Sequence, residues 1–348
     1  MPIICAGQNH FATNYFKACY FQAVTASPET AERGTQATAI LRFTNQFLSA
    51  IVFRVHFRKI TIIGVGLLGG AIGLAARQRR LAGEIAGYVR RTGSLKDCER
   101  AGAVDYATTD LLAAVSGADL VILCTPLAQM RTLVCQFLPA LKRGAIVTDV
   151  GSVKADVVRE LEPAIHKVGA HFVGGHPMAG GEKMGVLAAR ADLFANALNI
   201  LTPTKKSNAA AVRKLEKFWH ALGARTLKLD AAQHDLLVSR SSHLPHIAAA
   251  ALVNTVLGPA APKQQGALCA TGFRDTTRVA SGSPEMWRDI ALANRKNLAR
   301  SIDAYIAELR RFQSALKSGN AQSVEKFYAT AKQRRDGWHT KSALAPKE

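Results

Sequence analysis

From Lys59 to Ala71 the chain carries an apolar run, Ile60-Thr61-Ile62-Ile63, into Gly64-Val65-Gly66-Leu67-Leu68-Gly69 and then into an Ala- and Leu-rich helical pattern. Glycine-rich loops are common, but a G-x-G-x-x-G that closes a strand and opens a helix is the setting a dinucleotide-binding turn requires. The turn leaves the first N–H groups of the helix free and sets the positive end of its dipole beside a pyrophosphate. Gly64 is expected to make the tight turn, Gly66 to let the backbone approach the phosphates, and Gly69 to let helix and strand pack closely. The main chain of Val65, Leu67 and Leu68 completes the expected cradle. The competing reading is a purely structural glycine turn.

A second strand-like run, Glu84 to Val89, ends where an NAD-selective site places an acidic residue for the ribose 2′-hydroxyl. This chain has Arg90-Arg91-Thr92 there. A guanidinium pair suits a 2′-phosphate through charge-assisted, bidentate hydrogen bonds, so Arg90 and Arg91 favour NADP over NAD; a solvated turn is the plainer alternative.

Beyond it the chain alternates apolar runs with helical patterns, as a doubly wound parallel sheet does. Asp119 to Leu127 reads as a buried strand ending at Thr125-Pro126, and Ala145 to Val150 as the next, with Gly151-Ser152-Val153-Lys154 turning into a helix. Ligands in such sheets lie beyond the carboxyl ends of the strands, so Thr125, Pro126 and Ser152 are placed to face a nicotinamide. Ser152 also reads as a helix N-cap. His176 follows the run His171-Phe172-Val173 in a glycine-flanked loop, and a histidine near its ordinary pKa can accept a proton at working pH. After about Asp230 strand signals fade. A helical pattern covers Gln233 to Leu252, and Asp289 to Leu316 reads as one long amphipathic helix.

The 348 residues allow more than one domain. The expected division is 1–57 as an extension, 58–229 as the dinucleotide-binding domain, and 230–348 as a helical domain with a basic tail. The six cysteines form no C-x-x-C pair, which argues against a zinc site or a disulfide framework and fits a reducing cytoplasm, so no metal is expected. No apolar run reaches the roughly 18 residues that span a bilayer, so no membrane is expected. The formal charge of +20 attracts anions, but it is spread along the chain without a nucleic-acid-binding motif. Small anionic substrates and a phosphorylated cofactor explain a positive cleft equally well, much of the charge reads as plain solvated surface, and no nucleic-acid partner is expected. Residues 1 to 57 hold only Glu29 and Glu32 as acids. They read as an over-long start, with Val52 or Val55 as a non-ATG initiator, or else as a transit peptide.

Taken in order, the glycine loop (Gly64 to Gly70), Cys124-Thr125-Pro126, Asp149 to Lys154, His176-Pro177-Met178-Ala179-Gly180, Ser242-His243-Leu244-Pro245-His246, Gly272 to Arg278 and Pro284 to Trp287 resemble the prephenate/arogenate dehydrogenase family of tyrosine biosynthesis. The resemblance implies an N-terminal Rossmann doubly wound parallel sheet followed by an all-α C-terminal dimerisation domain, and hence a homodimer. It also implies an oxidative decarboxylation of prephenate or arogenate. Hydride leaves C4 of a cyclohexadiene for NADP or NAD while C1 loses carbon dioxide, and aromatisation supplies the driving force.

By similarity, His176 draws off the 4-hydroxyl proton, Ser152 orients the hydroxyl or the imidazole, Arg278 clamps a substrate carboxylate and His246 reaches the side-chain end. Glu182, Asp275 and Trp287 match positions that gate or line the pocket, each with a surface-pair or packing role as the alternative. His243, three residues before His246, reads equally well as a core residue. A β-hydroxyacid dehydrogenase also joins such domains but leaves the His176 and Arg278 motifs unexplained. A non-catalytic NADP sensor has no need of the histidine, serine and arginine together. No residue separates prephenate from arogenate.

Overall fold

The computed structural model describes residues 55–181 and 183–343. Its strands are β1 (Phe57–Ile63), β2 (Ala82–Tyr88), β3 (Tyr106–Thr108), β4 (Leu120–Leu123), β5 (Ile146–Asp149), β6 (His171–Pro177), β7 (Leu198–Thr202) and β8 (Arg225–Lys228). They form one sheet in the order β3-β2-β1-β4-β5-β6-β7-β8. Strands β4 and β5 are buried at every residue, the pattern of central strands covered on both faces. The order reverses direction between β1 and β4, which opens a crevice at the carboxyl ends of those two strands. The sheet departs from the all-parallel expectation at one seam: β7 runs antiparallel to β6, with His176 opposite Ile200.

Helices α1 (Leu67–Gln78), α2 (Gly93–Ala101), α3 (Leu111–Val115), α4 (Leu127–Phe137), α5 (Ala155–Lys167) and α6 (Ala209–Ala221) cover the two faces. One core joins α1 and α6 to the sheet around Phe57, Phe194, Phe218 and Trp219, whose rings meet edge to face. The other packs Met130, Val134, Phe137 and Leu161 against Val121, Val147 and Phe172. Each such buried side chain contributes about 1.5–3 kcal/mol. Val55 and Phe57 belong to the first core, whereas the reading of residues 1 to 54 falls outside the described residues.

Past Asp230 the chain is helical, through α7 (Ala231–Val238), α8 (Leu244–Val256), α9 (Thr271–Thr277), α10 (Pro284–Ala293), α11 (Arg295–Lys317) and α12 (Ala321–Ala343). Asp230 caps α7 by accepting from the N–H groups of Ala232 and Gln233. Two long helices expected from periodicity are interrupted. A π-helical turn, Ser239–His243, separates α7 from α8. Asn294, at φ −110° and ψ 24°, breaks the expected Asp289–Leu316 helix between α10 and α11. Its side chain is turned inward to hydrogen-bond the Asp235 carbonyl, a competition with helical geometry that short amides win readily. Among the described residues no helix is long and apolar enough to cross a membrane.

Candidate active site

The glycine turn has the shape a pyrophosphate needs. Gly64 sits at φ +97°, and a Cβ on Gly69 would stand 2.2 Å from the Gly64 carbonyl oxygen, so β1 and α1 approach closely only because both lack side chains. Nothing lies within 4 Å of a Cβ on Gly66, which leaves open space over the start of α1. No side chain caps that helix and its first turn holds no acid, so its N–H groups face that space. Thr125, at the end of β4, packs its methyl group beside Gly64, and its buried hydroxyl has no hydrogen-bond partner. Pro126 opens α4. Leu67 and Leu68 are half-buried, Val65 points into the core, and Arg90 and Arg91 are exposed at the end of β2.

His176 does not lie in an open loop as its glycine neighbours suggest. It occupies β6, paired with β7, and is 7% exposed. The antiparallel seam holds its ring at the carboxyl end of the sheet, where α7 covers it. His176 Nδ1 lies 2.8 Å from His234 Nε2, and His234 Nδ1 lies 2.8 Å from Asp235 Oδ1. Asp235 Oδ1 and Oδ2 also accept the main-chain N–H groups of Lys154 and Ala155 at 2.7 and 2.9 Å, so the carboxylate takes the acceptor role throughout. His234 Nδ1–H therefore donates to Asp235, His234 Nε2 accepts from His176 Nδ1–H, and the lone pair of His176 is left on Nε2. Burial, reinforced by the facing His234, Lys154 and His243, holds the His176 imidazole well below its ordinary pKa, so its neutral form persists to lower pH.

Beneath this file, Lys154 and Asp149 form an ion pair with no exposed side-chain surface. Burial pulls the Lys154 ammonium below its ordinary range, and Asp149 opposes that pull. Asp149 also accepts from Gly151 N–H at 2.8 Å and Gly175 N–H at 3.1 Å.

On the helical side, His246 stacks on Trp287 with ring centroids 3.8 Å apart, and His243 meets the same indole edge-on at 6.1 Å. His243 is fully buried and Asn294 Nδ2 donates to its Nδ1 at 3.3 Å; burial takes it down to about 4. Burial also lowers His246, the Ser242 carbonyl opposes this, and the Arg278 charge adds to the lowering. Arg278 lines a cavity of about 440 Å³ with Cys269, Phe273, Arg274, Thr277 and Ser281.

Ser152 lies in the turn before α5 but does not cap that helix. The cap position is Lys154, and its donor is satisfied by Asp235, reaching across from α7. Ser152 main chain lies against His243 instead. Asp275 is exposed on α9, apart from that cavity lining, and Glu182 falls outside the described residues. His234, Asp235 and Asn294 were not expected from the sequence. No local signal marks the first two, which stand on a helix that buries them while exposing Leu236 and Leu237.

Comparison with known proteins agrees with this fold. The family described as "Prephenate dehydrogenase, nucleotide-binding domain" matches residues 72–228, and "Prephenate dehydrogenase, dimerization domain" matches 230–333. Prephenate dehydrogenase of Bacillus subtilis is 34% identical over 284 residues, 80% of this chain and 75% of the relative. The crystal structure of prephenate dehydrogenase from A. aeolicus in complex with hydroxyphenyl propionate and NAD+ superposes with a TM-score of 0.75 at 31% identity, covering 80% of this chain and 98% of that one. Synechocystis arogenate dehydrogenase superposes at 0.68 with 31% identity, covering 80% of this chain and 99% of that one. A sheet that sets a glycine cradle beside a buried histidine, closed by helices matching the family's second domain, makes this chain a member of the prephenate dehydrogenase family, an NAD(P)-dependent prephenate or arogenate dehydrogenase of tyrosine biosynthesis.

Proposed function

We propose that this enzyme uses His176 as the base that takes the substrate's 4-hydroxyl proton, with NADP as its preferred cofactor. The observation that carries the reading is the hydrogen-bonded file of Asp235, His234 and His176, which commits every ring nitrogen except His176 Nε2. Because burial keeps that imidazole neutral, its lone pair is available at neutral pH. Asp235 holds the relay in one tautomer and stabilises the positive charge that His176 acquires. Ser152 orients the substrate hydroxyl.

The bound nicotinamide supplies the hydride acceptor. The residues suited to hold such a cofactor are Gly64, Val65, Gly66, Leu67, Leu68 and Gly69 at the pyrophosphate, with Thr125, Pro126 and Ser152 toward the ring. The fit rests on the uncapped helix, the open space over Gly66 and the partnerless Thr125 hydroxyl. Arg90 and Arg91 suit a 2′-phosphate. Arg278 clamps a substrate carboxylate, His246 and Trp287 wall the side-chain end, and Glu182 and Asp275 gate the entrance. The enzyme works as a homodimer through its C-terminal helices, in the cytoplasm.

The test is an absorbance assay of cofactor reduction that crosses prephenate and arogenate with NADP and NAD, repeated on His176→Asn. Reduction is expected with NADP ahead of NAD. The variant is expected to lose kcat by about 10²–10⁴-fold while keeping its melting temperature. A folded His176→Asn enzyme with wild-type kcat would remove His176 from the chemistry.

A further inference from the structure

A buried ion pair is weak support for a fold, since well-packed apolar residues of similar volume are often as stable or more so. The Asp149–Lys154 pair, with no exposed side-chain surface, therefore calls for another explanation. Its connections supply one. The Lys154 main-chain N–H donates to Asp235 Oδ1, the same oxygen that receives His234 Nδ1–H, so one end of the residue anchors the relay. Its ammonium donates to Asp149 Oδ2, while Asp149 Oδ1 accepts from Gly175 N–H, the residue directly ahead of His176. The other end thereby anchors the strand that carries the base.

We propose that Lys154 is a positioning residue for the reaction: paired with Asp149, it locks strand β6 and the His234–Asp235 pair in one register and sets a positive charge near the His176 imidazole. Three N–H groups converge on the Asp149 carboxylate, from Gly151, Gly175 and Lys154, so the ammonium opposite meets a fully hydrogen-bonded partner. The titratable groups that face His176 are His234 and Asp235 from α7, His243 from the π-helical turn, and Asp149 and Lys154 from the segment joining β5 to α5. Lys154 is the one cation of that set when the histidines are neutral. A positive neighbour disfavours imidazolium, so it lets the base stay unprotonated in mildly acidic conditions, while Asp235, acting through His234, stabilises the charge that His176 acquires during turnover. Lys154 is fully buried, so it acts through its neighbours.

The proposal rests on His176 being the base, and its test separates the two. The experiment compares the pH profiles of kcat/KM for the full-length wild type, Lys154→Met, and Asp149→Asn with Lys154→Met. The wild-type acid limb is expected below pH 6.5, the ordinary histidine value. Lys154→Met keeps the length of the side chain and removes the charge, and its acid limb is expected to move up by about one pH unit with KM little changed. The double variant removes both charges together, which preserves the fold if the single variant does not, and its limb is expected to move in the same direction. A folded single or double variant with an unmoved limb overturns the proposal, as does a wild-type limb at or above 6.5. If His176→Asn is inactive while the Lys154 limb stays put, only this inference fails; if His176→Asn is active, the base assignment fails first.

Discussion

His234 has both ring nitrogens committed, 2.8 Å from a partner on each side, and is fully buried. On the role proposed for His176, a residue in that position orients the base, so its loss should fall on kcat. His234→Ala is expected to lower kcat by about 10²-fold or more, because the His176 tautomer is then unfixed, with KM nearly unchanged. Steady-state kinetics with saturating cofactor check this, and a rise in KM at constant kcat would instead make His234 a substrate contact. His176 itself was legible in the sequence through its glycine and proline neighbours. His234 lies 58 residues away and reaches it only because α7 folds over the end of β6. Nothing local marks a histidine that will be hydrogen-bonded from another element.

At the level of elements, the strand–turn–helix unit around Gly64 was fully readable. Every constraint on it, the turn, the close approach and the free helix terminus, acts within a dozen residues. Arg90 and Arg91, expected from the same local logic to take a 2′-phosphate, lie exposed at the end of the neighbouring strand. Replacing both with Ser is expected to raise KM for NADP by about 10- to 100-fold per guanidinium–phosphate hydrogen bond lost, leaving KM for NAD within a few-fold. Cofactor titrations of the double variant decide it, and equal losses for both cofactors would return the pair to plain surface. Elements shaped from outside were not readable. The break at Asn294 and the π-helical turn before α8 interrupt continuous helical periodicity, and both place side chains against the site: Asn294 on Asp235 and His243, and His243 against Trp287. Ser152 lost its expected cap role for the same reason, since Asp235 arrives from another helix to do that work.

For the whole molecule, α11 exposes Tyr305, Ile306 and Leu309 at 40, 38 and 48%, an apolar stripe on a helix that matches the family's dimerisation domain. Leu309→Asp is expected to convert a dimer into a monomer. Sedimentation velocity should show the mass falling by half, and an unchanged dimer would move the interface elsewhere. The sequence by itself determined the fold class and the glycine turn of the dinucleotide-binding domain, and singled out His176 as a candidate, because these depend on periodicity and on residue types close together in the chain. Only the tertiary structure decided how that histidine is oriented and covered. Its partner His234 comes from α7, and the groups that hold that partner and its strand come from β5, α5 and the Asn294 break; hydrogen bonds between distant segments exist only after the apolar cores have brought those segments together.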